Sequence, residues 1–121
     1  MKEKFQPRDL RIRTKEFALR VIRLVNSLEY GKSTDVIGKQ LLRSGTSVGA
    51  NYRAACRGRS TAEFIAKMGI VEEEADESVY WMELLVEGKL VRAELLDELI
   101  HEANELVAIV VASIKTAKGN R

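Results

Sequence analysis

The stretch Gln40–Arg53, QLLRSGTSVGANYR, decides the fold. Steps of three and four from Ile37 reach Leu41, Ser44, Val48, Asn51 and Ala55, so the segment reads as a helix whose aliphatic stripe carries a hydroxyl and an amide. The neighbouring stripe holds Gly38, Leu42, Gly45, Gly49, Tyr52 and Cys56. An interior glycine costs about 1 kcal/mol of helix stability relative to alanine, and an unpaired buried amide costs about 1–3 kcal/mol. Two features compensate: a helix that approaches closely over Gly45 and Gly49, and specific polar partners for Ser44 and Asn51. The expected neighbour is the third helix, with Asp76 or Glu77 bonded to Asn51.

Three further helices surround this one. The first begins between Asp9 and Thr14, repeats Phe17, Val21, Leu24 and Leu28 at helical spacing, and ends at Tyr30-Gly31, where glycine supplies a left-handed residue. The second starts at Ser33 or Thr34 as N-cap and runs to about Arg57, before Gly58. Ser60-Thr61-Ala62-Glu63 has the form of a capping box, so the third helix starts there; it carries Phe64, Met68, Val71, Ala75, Val79, Met82 and Val86 and ends near Gly88. The fourth starts near Arg92, with Leu96, Leu99, Ala103, Leu106, Val110 and Ile114 on one stripe. Alternating strand patterns are essentially missing, and short connections force antiparallel neighbours. The expected fold is therefore all-α, a left-handed antiparallel up-down-up-down four-helix bundle. It occupies residues 1–121 as one domain, with residues 1–8 and 118–121 as loose tails.

The net charge of +2 conceals a segregation: residues 1–60 carry 14 Lys/Arg against 5 Asp/Glu, and residues 61–121 carry 6 against 13. Acidic and basic faces either pair within the fold or leave the basic half free for nucleic acid. Arg11, Arg13, Arg20, Arg57 and Arg59 are the candidate phosphate contacts; without a helix-turn-helix signature or an aromatic platform, they imply backbone contact rather than base reading. The single cysteine, Cys56, suits a reducing compartment. No apolar run of signal-peptide length follows Met1, and the longest run, Leu106–Ala112, is far short of the roughly 20 residues that span a bilayer, so a cytoplasmic protein without membrane association is expected.

From Leu106 to Ile114 the fourth helix is apolar almost all round, and Trp81 and Leu84 sit off the main stripe of the third. A second apolar face implies a second neighbour, so Trp81, Leu84, Ile109 and Val111 are the candidate interface of a homo-oligomer.

Catalytic and metal chemistry find little footing. A dinuclear carboxylate centre needs Glu-x-x-His on two helices, and this chain has one match, Glu98 to His101, with one histidine in total. The same scarcity removes Ser-His-Asp and Cys-His pairs. Gly45-x-x-x-Gly49 lies within a helix and reads as close packing rather than a phosphate loop. Glu74 and Glu83 read as a solvated face, His101 as a surface residue, and Cys56 as a small packing residue. No catalytic residue, metal or cofactor is assigned.

QLLRSGTSVGANYR, continuing through Arg59-Ser60, and then FIAKMGIVEEEADESVYWMELL from Phe64, closely resemble the bacterial four-helix-bundle proteins encoded in intervening sequences of large-subunit ribosomal RNA genes. The resemblance runs from about Asp9 to Lys118: Ser44, Ser47, Val48 and Asn51 match the helix-two signature, and Ala75-Asp76-Glu77 with Tyr80-Trp81 the helix-three signature. It implies a bundle that assembles as a ring-like homopentamer. A related branch, the accessory variability proteins of diversity-generating retroelements, works with a reverse transcriptase and binds nucleic acid. Ala54 departs from the family, which usually has a glutamate there, so a buried polar network joining helices two and three is smaller or rearranged in this chain. The expected role is a non-enzymatic oligomeric adaptor for RNA or DNA backbones, with a protein partner beside it; the alternative is a protein-interaction scaffold that binds no nucleic acid.

Overall fold

The structure, a computed structural model, describes residues 7–119, with side chains from Leu10 onward. It consists of α1 (Pro7–Ser27), α2 (Lys32–Cys56), α3 (Thr61–Glu87) and α4 (Ala93–Gly119), with no strand among the described residues. Pro7 opens α1 at a position where its missing N–H would have had no helical partner. The helices thus take in residues 7, 8, 118 and 119 of the expected tails; residues 1–6 and 120–121 lie outside the described residues.

The helix boundaries follow local chemistry, with two corrections at the first turn. Helix α1 stops at Ser27, whose hydroxyl donates to the Leu24 carbonyl at 2.7 Å. Gly31 is extended (φ 172°, ψ 155°) rather than left-handed. Gly31 also replaces Ser33 and Thr34 as the N-cap of α2, its carbonyl accepting from Asp35 N at 2.8 Å. At the start of α3 the capping box forms: Glu63 N donates to Ser60 Oγ at 3.1 Å. The Glu63 carboxylate reaches one residue further back than expected and accepts from Arg59 N at 2.8 Å. Helix α3 closes in a Schellman turn, with Leu90 N donating to Leu85 O and Lys89 N to Val86 O. Its left-handed residue is Lys89, at φ 61°, and Gly88 keeps an ordinary helical φ.

The expected stripes form the core. Phe17 and Val21 from α1, Leu41 and Val48 from α2, Met68, Val71, Met82 and Leu85 from α3, and Leu96, Leu106 and Val110 from α4 are fully enclosed. Exposure grows towards the stripe ends: Leu24, Leu28, Phe64, Val86 and Ile114 are half-buried.

Paired positions reveal the antiparallel order. Along α2, Gly38 faces Val25 and Leu28 of α1, Gly45 faces Val21, and Gly49 faces Thr14. Numbers rise on one helix as they fall on the other. Helices α1 and α4 meet along a narrow seam, where Arg13 reaches Glu102 and Glu105. The topology is up-down-up-down, with α2 between α1 and α3.

This order corrects the expected partner of the glycines. Gly45 and Gly49 face α1, not α3, because positions 44 and 45 point about 100° apart on the helix and only the first can face α3. A Cβ on Gly45 would lie 2.9 Å from both methyl carbons of Val21. The hydroxyl stripe does face α3: Ser44 Oγ and Ser78 Oγ are 2.9 Å apart and fully buried. Each hydroxyl also reaches a carbonyl on its own helix, Ser78 Oγ donating to Glu74 O at 2.9 Å and Ser44 Oγ to Leu41 O at 3.3 Å, so either serine can supply the proton that bridges the pair.

The expected bond from Asn51 to Asp76 or Glu77 does not form. Asn51 is half-buried, and its amide donates to Ser47 O, one turn back on its own helix, at 2.9 Å. The register explains this: with Ser44 opposite Ser78, position 51 lies two turns along α2 and falls level with Val71. Asp76 is exposed, and Glu77 is half-buried beside Arg43 and Trp81.

Candidate nucleic-acid interface

The antiparallel order gathers the start of α1, the end of α2, the start of α3 and the end of α4 at one end of the bundle. Arg11, Lys15, Arg53, Arg57, Arg59, Lys67, Lys115 and Lys118 are there, and all eight are exposed. Residues 10–15, 50–67 and 106–119, which build this end, contain one acidic residue, Glu63, already engaged at the start of α3. Cations in the last turns of α2 and α4 complement the negative ends of those helices. That effect accounts for Arg53 and Lys118 but not for Arg11, Lys15 or Lys67, which lie towards the opposite pole of α1 and α3.

The five arginines singled out in the sequence divide between two environments. Arg11, Arg57 and Arg59 belong to this exposed end. Arg13 instead forms a two-point pair with Glu102, Nε to Oε2 at 3.0 Å and Nη2 to Oε1 at 2.7 Å, and Nη2 also meets Glu105 Oε1 at 2.7 Å. These bonds, that to Glu102 foremost, raise the Arg13 pKa, and the Arg13 guanidinium holds the Glu105 carboxyl below its ordinary range. Arg20 is half-buried and shares a shallow cleft with Asp97, Glu98, His101 and Glu102. For Arg13 the internal pairing of basic and acidic helices prevails, whereas Arg20 simply lies among acidic neighbours, away from the basic end. Lys15, Arg53, Lys67, Lys115 and Lys118 are absent from the sequence-derived set; their signal was the polarity of four antiparallel helices, which sends all of them to one end.

On the opposite flank of α2, Arg43 Nη1 donates to Glu74 Oε1 at 3.2 Å and Nη2 to Glu77 Oε2. Glu74 is therefore paired rather than part of a solvated face. The Trp81 indole donates to Glu77 Oε2 at 3.0 Å; that bond first, and Arg43 second, hold the Glu77 carboxyl below its ordinary range. Trp81, Leu84, Ile109 and Val111 are each half-buried in the single chain, with Trp81 and Ile109 packed on the core. Tyr80 lies edge-on to Trp81, ring centres 5.0 Å apart, and is exposed.

A cleft of about 450 Å³ opens among the cations, lined by Arg11, Tyr52, Cys56, Gly58, Phe64 and Ser113 over a floor of Ala55 and Met68. Burial, reinforced by a hydrogen bond with Cys56, pushes the Tyr52 phenol pKa up, so it stays neutral at physiological pH. A second groove, between α1 and α2, passes over Gly49 and is bordered by Arg11, Lys15 and Arg53. His101 is exposed, with Nε2 3.2 Å from Glu105 Oε2, and Cys56 is half-buried. Among the described residues no group of three or more His, Cys, Asp or Glu side chains is placed to hold a metal ion, and no helix is long and apolar enough to cross a membrane.

The comparisons with known proteins agree with this architecture. The family model described as 23S rRNA-intervening sequence protein matches residues 9–112. A crystal structure from Bacteroides thetaiotaomicron VPI-5482, of a protein with unknown function from the S23 ribosomal protein family, shares 34% identity with this chain. It covers 92% of this chain and 99% of its own, with a TM-score of 0.83. No curated protein matches.

Proposed function

The chain belongs to the 23S rRNA-intervening sequence protein family, and we propose that it is a non-enzymatic oligomeric adaptor that holds RNA or DNA backbones against the basic end of its bundle. The observation that carries this reading is the concentration, among the residues whose side chains are described, of eight exposed cations around a single, engaged carboxylate. Such a surface attracts phosphates through charge and counterion release without reading bases. Among the described residues, the two carboxylates with a shifted pKa, Glu77 and Glu105, each have an arginine partner that contributes to the shift, which accords with a structural role for both. Assembly as a cytoplasmic homopentamer through Trp81, Leu84, Ile109 and Val111, a state suggested by family resemblance, repeats the basic end and adds avidity.

Binding to mixed-sequence RNA and DNA, followed from about 50 to 200 mM salt, tests the reading, because affinity falls steeply when several phosphates are neutralised. Arg57→Ala with Arg59→Ala is expected to flatten the salt dependence by roughly one to two contacts, whereas Arg20→Ala leaves it unchanged. No binding at the lowest salt, with light scattering showing an intact oligomer, overturns it. The Arg13 and Arg43 pairs favour a second reading in that event: a protein-interaction scaffold whose cations are occupied by carboxylates of α3 and α4.

A further inference from the structure

We infer that the cleft at the basic end receives one unstacked nucleobase of a single strand, with Phe64 as its stacking surface. The inference rests on the nucleic-acid reading above and specifies which strands that surface prefers.

The cleft combines two properties that constrain its occupant. Its floor is apolar: Met68 is fully buried and Ala55 nearly so, while the half-buried Phe64 forms one wall. A carboxylate or phosphate pressed onto that floor would lose solvation against a thioether and methyl groups, whereas at the rim it meets Arg11, so an uncharged group suits the floor and a charged one the rim. The rim is cationic and polar. Arg11 enters from α1 and Ser113 from α4, while Arg57, Arg59 and Lys67 lie within a few residues of the lining and are exposed. The chain that carries the inserted group must therefore be anionic. A nucleotide meets both conditions, since its base has apolar faces and polar edges and its backbone is charged.

The entrance is built into the turn between α2 and α3. A Cβ on Gly58 would lie 3.1 Å from Ala55 O and 3.2 Å from Phe64 N, so the glycine lets the first turn of α3 close onto the end of α2 and sets Phe64 at the cleft. At about 450 Å³ the space is within the range of small-molecule sites. The isolated sequence shows no stacking platform; the fold brings one aromatic ring into the middle of the cationic surface. Duplex bases are stacked on both faces and cannot enter, so single strands are favoured over duplexes of equal charge.

The test compares a thymidine strand of about 12 nucleotides with an abasic strand of the same length and charge, using the full chain and fluorescence anisotropy. The base-bearing strand is expected to bind about tenfold tighter. Phe64→Leu, which keeps apolar packing but removes the ring, and Ser113→Leu, which fills the cleft from α4 without adding a stacking face, should each erase that difference and leave abasic binding unchanged. A uridine strand run in parallel distinguishes RNA from DNA as the source of the base. Equal affinity for base-bearing and abasic strands overturns this inference and leaves the backbone reading standing, as does an equal loss for both strands in the two variants. No binding of any strand at about 50 mM salt overturns both, because phosphate contacts are strongest there.

Discussion

Helix α2 turns two unlike faces to its neighbours. Towards α1 it presents Gly38, Gly45 and Gly49, and the contact is steric: α1 side chains occupy the space that a Cβ would need. Towards α3 it presents Ser44, and the contact is polar, a buried hydroxyl meeting another hydroxyl. Both faces offset the poor helix propensity of this segment, by different physics. Close approach gains dispersion contacts and tolerates no added volume, whereas a hydroxyl pair satisfies polar atoms and tolerates replacement of both members together.

The largest test of this contrast is Gly45→Leu. Val21 is β-branched, fully buried and unable to rotate away, so the variant should lose about 3 kcal/mol in chemical denaturation through overpacking. A wild-type unfolding midpoint would mean that α1 does not approach this face closely. The polar face should respond less. Ser44→Ala or Ser78→Ala alone should cost about 1 kcal/mol, and the double variant no more than either single one, since removing both partners leaves no unmatched hydroxyl. Additive losses in the double-mutant cycle would show that the two serines act independently.

At the rim of the same face, Glu77 provides a pH readout. Its folded-state pKa lies below the ordinary value of 4.5, so its contribution is present above that value and is lost as pH falls through the depressed one. Fluorescence of Trp81, the sole tryptophan, should titrate with a midpoint below 4.5, and Arg43→Gln should move the midpoint upward. A midpoint indifferent to Arg43 would remove that arginine from the network. The smallest effect is expected at Asn51. Its amide bonds within its own helix, so Asn51→Leu should change stability by less than about 0.5 kcal/mol. A large loss would restore the buried carboxylate partner that the register denies it.

The sequence by itself determined what depends on neighbours along the chain. Helical periodicity identified the stripes that bury Phe17, Leu41, Met68 and Leu106, and the Ser60–Glu63 spacing located the start of α3 almost to the residue. Signature residues in α2 and α3 pointed to the family. Local rules also had a limit at turns, where Gly31 proved extended and Lys89 took the left-handed position.

Tertiary structure alone decided which stripe meets which helix. Periodicity fixes the angle between the Ser44 and Gly45 stripes but not what stands at either angle, and the register that levels Ser44 with Ser78 denies Asn51 its carboxylate. The candidate interface has the same origin. Arg11, Arg59, Lys67 and Lys115 are scattered over three helices and a turn in sequence, and Arg13 is no less basic than Arg11 when read as a letter. Packing places Arg13 against Glu102 and leaves Arg11 beside Phe64 at a cleft, because side-chain direction and helix polarity become shared coordinates only when the four helices are assembled.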